Sequence, residues 1–360
     1  MQNLKSSAIV VVGAGVTGLT TALVLRREGY ENITIVAKHM PGDRALEYTS
    51  PWAAVNYAPV SEKGTAAEEW DRLSWAEFWR LAHESPEAGI HIQKKISYCL
   101  TDSGKDKDVW FKDLTPNYRF LDESELPPGV KWGKECDTFC IDPAIYLPYL
   151  KIRCISQGIQ FKRVNLSHIK EAFSLHGNTS GLASVVINCT GVLASKLGGV
   201  EDDSVVPVKG QLVLVRNKCS GMFGMWGAKD WPAGESCYVM NRPFGGGTVL
   251  GGSSHQTWDP TVDMDLAKRI MQRAIEACPE LVKPGEGIEG LDVIHHSVGF
   301  RPVRKGGPRI EVEELPGNLK IVHNYGAGGF GYQSSWGMAS AAVQKVNMAI
   351  RGSSEASTLL

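Results

Sequence analysis

Ala8-Ile9-Val10-Val11-Val12-Gly13-Ala14-Gly15-Val16-Thr17-Gly18 is the stretch on which the fold turns. Its first five residues are an unbroken apolar run, which reads as a parallel strand buried on both faces. Three glycines follow in the spacing GxGxxG. Gly13 permits a tight turn, Gly15 lets a pyrophosphate approach the backbone, and Gly18 allows a helix to pack close to the strand. From Val16 to Glu28, Leu19, Ala22, Leu23 and Leu25 recur at helical spacing, and Gly29 supplies the stop. Ile33-Thr34-Ile35-Val36 is a second buried strand, so the first 37 residues form a βαβ unit. A glycine turn between strand and helix predicts dinucleotide binding, with free N–H groups and the helix dipole holding the anion. The acidic residue that usually closes the second strand and takes the ribose is missing, because Val36 is followed by Ala37-Lys38-His39. That disfavours NAD, and Lys38 reads either as a phosphate or ribose ligand or as a solvated surface lysine.

Composition bounds what surrounds this unit. At 360 residues, with 43% hydrophobic and 21% charged, the chain builds one large domain or two ordinary ones and is not disordered. Lys+Arg of 38 against Asp+Glu of 39 leaves a net charge of -1, so no global field gathers nucleic acid or anionic membrane. No apolar run reaches the roughly 18 residues of a membrane helix. The N-terminus passes directly into the strand without a signal-peptide pattern, which predicts an intracellular protein. Eight cysteines show no CxxC or Cys/His zinc spacing and read as reduced thiols, with Cys219 and Cys237, which flank one loop, as the pair that could be bonded.

Along the chain two compositions alternate. Residues 61–150 are rich in Trp, Glu, Lys and Pro, with an amphipathic helix at Ala66–Ala82. Strand character returns at Gly158–Val164 and Ser184–Cys189. A β-rich block follows, with Val205–Val215 and a hairpin of Ser236–Asn241 and Thr248–Ser253. Asp263–Cys278 is an amphipathic helix, Leu291–Arg301 and Leu319–Asn324 are strands, and a helix runs from about Gln333 to Ile350. The expected organisation is one domain from 1–60, 150–197 and 288–350, a second inserted into it from 61–149 and 198–287, and a polar, disordered tail at 351–360.

Four further stretches carry chemistry. Tyr48–Asn56 is small, polar and broken by Pro51, so it is a loop, placed where it could run along a cofactor. Val185–Gly191 is a buried strand whose Thr190-Gly191 end lies on the ligand side of an α/β sheet. Gly299-Phe300-Arg301-Pro302 puts an arginine, the side chain suited to a carboxylate, at a strand end that Pro302 is expected to stop; by itself it reads more readily as a surface arginine of the basic cluster Arg301, Arg304, Lys305 and Arg309. His295 and His296 before it read as structural. His323–Gln333 repeats the strand, glycine loop and helix start at the other end of the chain, and this second helix N-terminus suits negative charge on a cofactor ring.

In this order and spacing, these stretches resemble the D-amino acid oxidase family, which includes D-aspartate oxidase and is more distantly related to glycine and sarcosine oxidases. The signatures are Val11–Leu19, Ser50-Pro51-Trp52-Ala53-Ala54, Asn188-Cys189-Thr190-Gly191, Gly299–Pro302, and His323–Gly326 with Gly329–Gln333 and Trp336-Gly337; they span Val10 to about Ala349. The resemblance implies an α/β fold: an FAD-binding Rossmann-like domain with an inserted α+β substrate-binding domain. It implies non-covalent FAD, a D-amino acid oxidised to its imine and then hydrolysed to a 2-oxo acid and ammonia, and oxygen reduced to hydrogen peroxide. By matched positions Arg301 pairs with the substrate carboxylate, Tyr238 donates its hydroxyl to it, and the Gly329 carbonyl and Gln333 side chain lie near the amine. FAD is implied to be lined by Gly13, Ala14, Gly15, Val16, Thr17, Gly18, Lys38, Thr49, Ser50, Val55, Asn56, Val164, Thr190, Gly191, Arg301, Gly328, Gly329, Gly331, Tyr332 and Gln333.

Departures from the family refine this. Ser254 stands where animal D-aspartate oxidases place an arginine and many fungal relatives a tyrosine. Residues 217–236, with Met222, Phe223, Met225, Trp226 and Trp231, stand where the active-site lid is expected. Both favour neutral D-amino acids over D-aspartate or D-glutamate; the alternatives are an acidic D-amino acid oxidase, an NAD-dependent dehydrogenase and a non-catalytic flavin-binding protein. Expected partners are a D-amino acid and oxygen, with neither nucleic acid nor membrane, and a homodimer is left open. The chain ends Ser357-Thr358-Leu359-Leu360, not the Ser-Lys-Leu that addresses family members to peroxisomes, so a peroxisomal or cytoplasmic location is expected.

Overall fold

A computed structural model describes residues 4–104, 109–177 and 181–358. In chain order the strands are β1 (Ile9–Val12), β2 (Ile33–Ala37), β3 (Val55–Asn56), β4 (Ile90–Cys99), β5 (Arg119–Phe120), β6 (Trp132–Ile141), β7 (Gln160–Arg163) and β8 (Val185–Asn188). They continue with β9 (Val205–Val215), β10 (Met222–Trp226), β11 (Glu235–Asn241), β12 (Thr248–Ser253), β13 (His255–Gln256), β14 (Val293–Arg304), β15 (Val312–Leu315) and β16 (Leu319–His323). The helices are α1 (Val16–Arg27), α2 (Ala66–Glu84), α3 (Pro143–Ser156), α4 (Met264–Ala277) and α5 (Ser335–Thr358).

The apolar runs build a six-stranded sheet in the order β15-β16-β8-β1-β2-β7, parallel except for the β15 edge. Every residue of β1, β2 and β8 is buried, as an unbroken apolar run requires. Leu19, Leu23 and Leu25 of α1 sit in the same core as Ile9, Val11, Ile33 and Ile35, together with α3 and α5. Close helix crossing depends on one glycine: a Cβ at Gly337 of α5 would collide with the Trp70 backbone of α2.

The second sheet has the order β13-β9-β12-β11-β10-β4-β6-β3, with β14 on β9 and β5 on β6. One face is covered by α4, whose Leu266, Ala267, Ile270 and Ala274 pack on Val213, Val239 and Leu250. Asp263 caps α4 by accepting from the Asp265 and Leu266 N–H groups, and Thr65 caps α2 by accepting from Glu68 N–H. The other face looks toward the six-stranded sheet.

Four expectations change here. Pro302 does not stop β14, which runs on to Arg304 with Pro302 opposite Pro207. Among the named strands β14 pairs only with β9, its outer edge meeting Ala327 at a single bridge from Val303; Pro302 stands opposite Pro207, so neither residue has an N–H to give the ladder there. Because β14 lies on β9, its residues belong to the second sheet although the boundary at 288 assigns them to the first domain. Met222–Trp226 is not a lid: β10 is an inner strand between β11 and β4. Phe223, Met225 and Trp231 pack with Tyr98, Cys237 and Ala277 on the α4 side, away from the cavity. Finally, α5 continues to Thr358 through the stretch read as a tail, since helix extension gains a hydrogen bond per residue and no proline interrupts it; Leu359 and Leu360 lie outside the described residues.

The thiols are free. Cys237 donates to the Arg273 carbonyl, and Cys219 has Cys278, rather than Cys237, as its thiol neighbour.

Candidate active site

A cavity of about 400 Å³ lies where the β1–α1 turn, the ends of β2 and β8, the Tyr48–Ala54 loop, Arg301 of β14 and the Gly326–Tyr332 loop converge. Gly13, Ala14, Gly15, Val16, Thr17, Lys38, Thr49, Ser50, Val164, Thr190, Gly191, Arg301, Gly328, Gly329, Gly331 and Tyr332 all line it. Gly18, Val55, Asn56, Tyr238 and Gln333 do not. Gly18 faces the Gly13 carbonyl, which a Cβ would strike, so its work is packing. Val55 is buried in the main core. Asn56 reaches the second sheet instead, where Oδ1 accepts from Lys95 Nζ at 3.3 Å and Nδ2 lies 3.3 Å from Met240 Sδ.

At the β1–α1 end, Gly13 holds φ +115°, a left-handed conformation that favours glycine, and a Cβ there would strike the Cys189 carbonyl. The first helical N–H, of Val16, is taken by Ser50 Oγ at 3.0 Å. The amides of Ala14, Gly15 and Thr17 donate to nothing among the described residues. Orphan amides at a helix N-terminus, opening on a cavity, are what a pyrophosphate needs, so these residues fit a dinucleotide. Gly15 contributes space: a Cβ would stand 2.9 Å from Ser50 Oγ. At the far end Glu47 lines the cavity beside Lys38 and His39 and bonds both. Those two hydrogen bonds, the Lys38 one foremost, hold its carboxyl below the usual range. A carboxylate therefore does stand at the end of β2, carried in by a loop. No spacing rule in the sequence could have found it.

The Tyr48–Trp52 loop ties the site together. Tyr48 Oη donates to the Ala14 carbonyl at 2.6 Å, and Thr49 Oγ1 to the Phe300 carbonyl at 2.7 Å. Tyr332 Oη donates to the Ser50 carbonyl at 2.8 Å. One loop thus fixes the glycine turn, the arginine strand and the second glycine loop. In that second loop the Gly331 and Tyr332 amides donate to nothing, and the Gly329 carbonyl accepts from nothing, among the described residues.

Arg301 reaches into the cavity between two glycines. Its Nη1 donates to the Ser253 carbonyl at 2.8 Å. A Cβ at Gly210 would lie 2.6 Å from that nitrogen, and one at Gly329 would lie 3.6 Å from Arg301 Cδ. A glycine inside a strand marks a close approach, so Gly210 was legible in principle. Tyr238 lies over the Gly251-Gly252 backbone, where a Cβ on either glycine would strike its ring or hydroxyl. Burial raises the Tyr238 phenol above its ordinary value, and the neighbouring Arg301 guanidinium partly offsets this. A guanidinium and a neutral phenol side by side are a pair whose chemistry suits a carboxylate.

Gln333 is placed otherwise than expected. It is buried, its Oε1 accepts from Ala58 N–H at 3.1 Å, and its Nε2 donates to Asp71 Oδ1 at 3.3 Å. Both ends of the amide are thus engaged by the protein rather than turned to the cavity. Neither His295 nor His296 lines the cavity.

Residues 8–345 match the family model described as FAD dependent oxidoreductase. The chain is 44% identical over 355 residues to a D-amino-acid oxidase of Fusarium vanettenii, covering 95% of this chain and 97% of that one. It is 38% identical over 338 residues to a D-amino-acid oxidase of Schizosaccharomyces pombe, covering 93% and 94%. Its fold superposes on a glycine oxidase of Bacillus cereus with a TM-score of 0.72 at 18% identity, over 97% of this chain and 96% of that one.

Proposed function

We propose, on the premise that this chain belongs to the FAD-dependent oxidoreductase family, that it oxidatively deaminates D-amino acids. The NAD-dependent dehydrogenase reading is thereby overturned. What supports the proposal is the Arg301 guanidinium at one end of a cavity whose other end offers orphan amides to a dinucleotide, with the Tyr238 phenol beside that guanidinium. The two D-amino-acid oxidases similar over nearly the full length support the same substrate class.

FAD would be held by the amides of Ala14, Gly15 and Thr17 and by the Gly328–Tyr332 loop, and would supply a hydride acceptor for the substrate Cα with oxygen as the final oxidant and hydrogen peroxide as its product. The chain's own residues bind and orient. Arg301 pairs with the substrate carboxylate, and Tyr238 donates its O–H to the same group. The Gly329 carbonyl accepts from the neutral amine. Three fixed points about one carbon distinguish D from L, and holding the Cα–H in one direction supplies much of the rate. No side chain need act as base, since the amine is bound neutral and the imine hydrolyses in water.

Neutral D-amino acids are the main substrates in this reading. The surface beside the Arg301–Tyr238 pair is Leu212, Met222 and Met240 with Gly224 and Gly251, and Ser254 is exposed. A second carboxylate brought onto that surface would carry a desolvation cost of several kcal/mol. The visible spectrum tests the proposal. The purified protein should be yellow and bleach with anaerobic D-alanine but not L-alanine. A flavinated protein that bleaches with the L-enantiomer, or with no amino acid at all, would overturn it.

A further inference from the structure

We propose that Lys95, with Lys134 beside it, forms a second anion subsite on the substrate-facing side of the ten-stranded sheet, one that takes the terminal carboxylate of a long D-2-aminodicarboxylate. The inference rests on the D-amino acid reading and deepens it.

Register places the subsite. Tyr238 of β11 stands opposite Gly224 of β10, Gly224 opposite Ser97 of β4, and Ser97 opposite Lys134 of β6. These residues share one face of the sheet. The next row on that face runs Met240, Met222, Lys95 and Cys136. Between Tyr238 and Ser97 stands Gly224, which presents no side chain to that face. A Cβ at Gly224 would meet nothing nearer than the Cys237 carbonyl at 3.8 Å. A substrate side chain leaving the Arg301–Tyr238 pair along the sheet therefore passes over Gly224 toward the lysines.

Charge then selects the occupant. Among the described residues the Lys95 ammonium has one hydrogen-bond partner, the neutral Asn56 Oδ1 at 3.3 Å. Lys134 lies over the Phe111 and Tyr118 rings, 5.2 and 5.7 Å from their centroids. Neither has a carboxylate partner among the described residues, and Glu135 points to the opposite face, where it bonds Lys94 and Arg119. Both lysines are half-buried. Desolvation holds both below the ordinary lysine range, Lys95 at about 8. Two neighbouring ammonium groups, partly desolvated and unneutralised, are stabilised by an anion set between them.

Reach selects its length. Strands lie about 4.8 Å apart, so β4 is roughly 10 Å from β11 across β10. D-Aspartate is too short, and its second carboxylate would rest over Gly224 and Met222. A side chain with three or more carbons before its carboxylate spans the gap.

Two measurements on the flavinated enzyme test this. Calorimetry compares adipate with hexanoate, and turnover compares D-2-aminoadipate with D-norleucine. In the wild type the dicarboxylate should bind about tenfold or more tighter than the monocarboxylate, as a charge-assisted contact warrants. Lys95→Met should abolish that preference in both measurements, whereas Lys95→Arg should keep it. An unchanged ratio in a flavinated Lys95→Met protein would overturn the subsite. If no D-amino acid is turned over while the adipate preference still depends on Lys95, the subsite stands and the oxidase reading falls.

Discussion

Arg301 owes its position to two residues that have no side chain. Gly210 and Gly329 leave a slot for its guanidinium, and Ser253 supplies the carbonyl that aims it. Arg301→Ala leaves the cofactor end intact but leaves a substrate carboxylate unpaired, a loss of roughly 2–5 kcal/mol. The expected result is a fall in kcat/KM for D-alanine with an unchanged flavin spectrum; near-wild-type kinetics would mean that the carboxylate is held elsewhere. Gly210→Ala is a finer test. The new methyl would come within 2.6 Å of Arg301 Nη1, and the guanidinium, being the end of a flexible chain, gives way. KM should rise while Tm and flavin content hold. If KM is unaltered, the arginine is not held in that slot during turnover. That Arg301 lines the cavity did not follow from Gly299-Phe300-Arg301-Pro302 alone, which suits a surface arginine as well, and the slot was not legible because Gly210 lies on another strand.

The element that connects α2 to the site is a buried carboxylate. Asp71 of α2 is 2% exposed and accepts from Ser61 Oγ, Ser334 Oγ and Gln333 Nε2. Burial raises its pKa, and those three hydrogen bonds only partly offset this. Gln333 and Ser334 lie between Tyr332, which lines the cavity, and the first turn of α5, so Asp71 fixes the direction in which α5 presents its N-terminus. Asp71→Ala leaves buried polar groups without partners, at about 1–3 kcal/mol for each. We expect a lower Tm together with weaker flavin retention on dialysis; a lower Tm with full retention would restrict Asp71 to packing. Several elements escaped the sequence reading for one reason. β4 and β6 carry lysines, cysteines and Glu135 among their apolar residues, and only mutual pairing over ten residues makes them strands. β10, with five residues rich in Met and Trp, reads as readily as a loop cover.

Over the whole molecule, the two sheets meet at the cavity and are tied together beside it. Asp202, just before β9, accepts from Arg304 Nε at the end of β14 and from Tyr325 Oη after β16, at 2.7 and 2.8 Å. Burial pushes the Asp202 carboxyl up, but Arg304, Tyr325 and the Ser204 N–H outweigh it and leave the pKa at about 2. A carboxyl held below its unfolded value of about 3.9 contributes stability that is present above that pH and lost as pH falls through the folded pKa. The contribution is on the order of 2 kcal/mol. Urea unfolding of wild type and Asp202→Asn should therefore diverge most near neutral pH and converge between pH 4 and 2, within the limits of these shifts; a gap that widens on acidification would refute the tie. The sequence alone determined the βαβ unit, the glycine turn, the β11–β12 hairpin and the amphipathic helices, because each is written in contiguous residues as periodicity or spacing. Only the tertiary structure decided that β14 crosses to the second sheet, that Met222–Trp226 is an inner strand, that Gln333 is spent on Asp71, and that Glu47 enters the site at the end of β2. Those outcomes depend on which distant strand or loop a segment pairs with, and pairing partners are set by burial and register across the folded chain, not by neighbours along it.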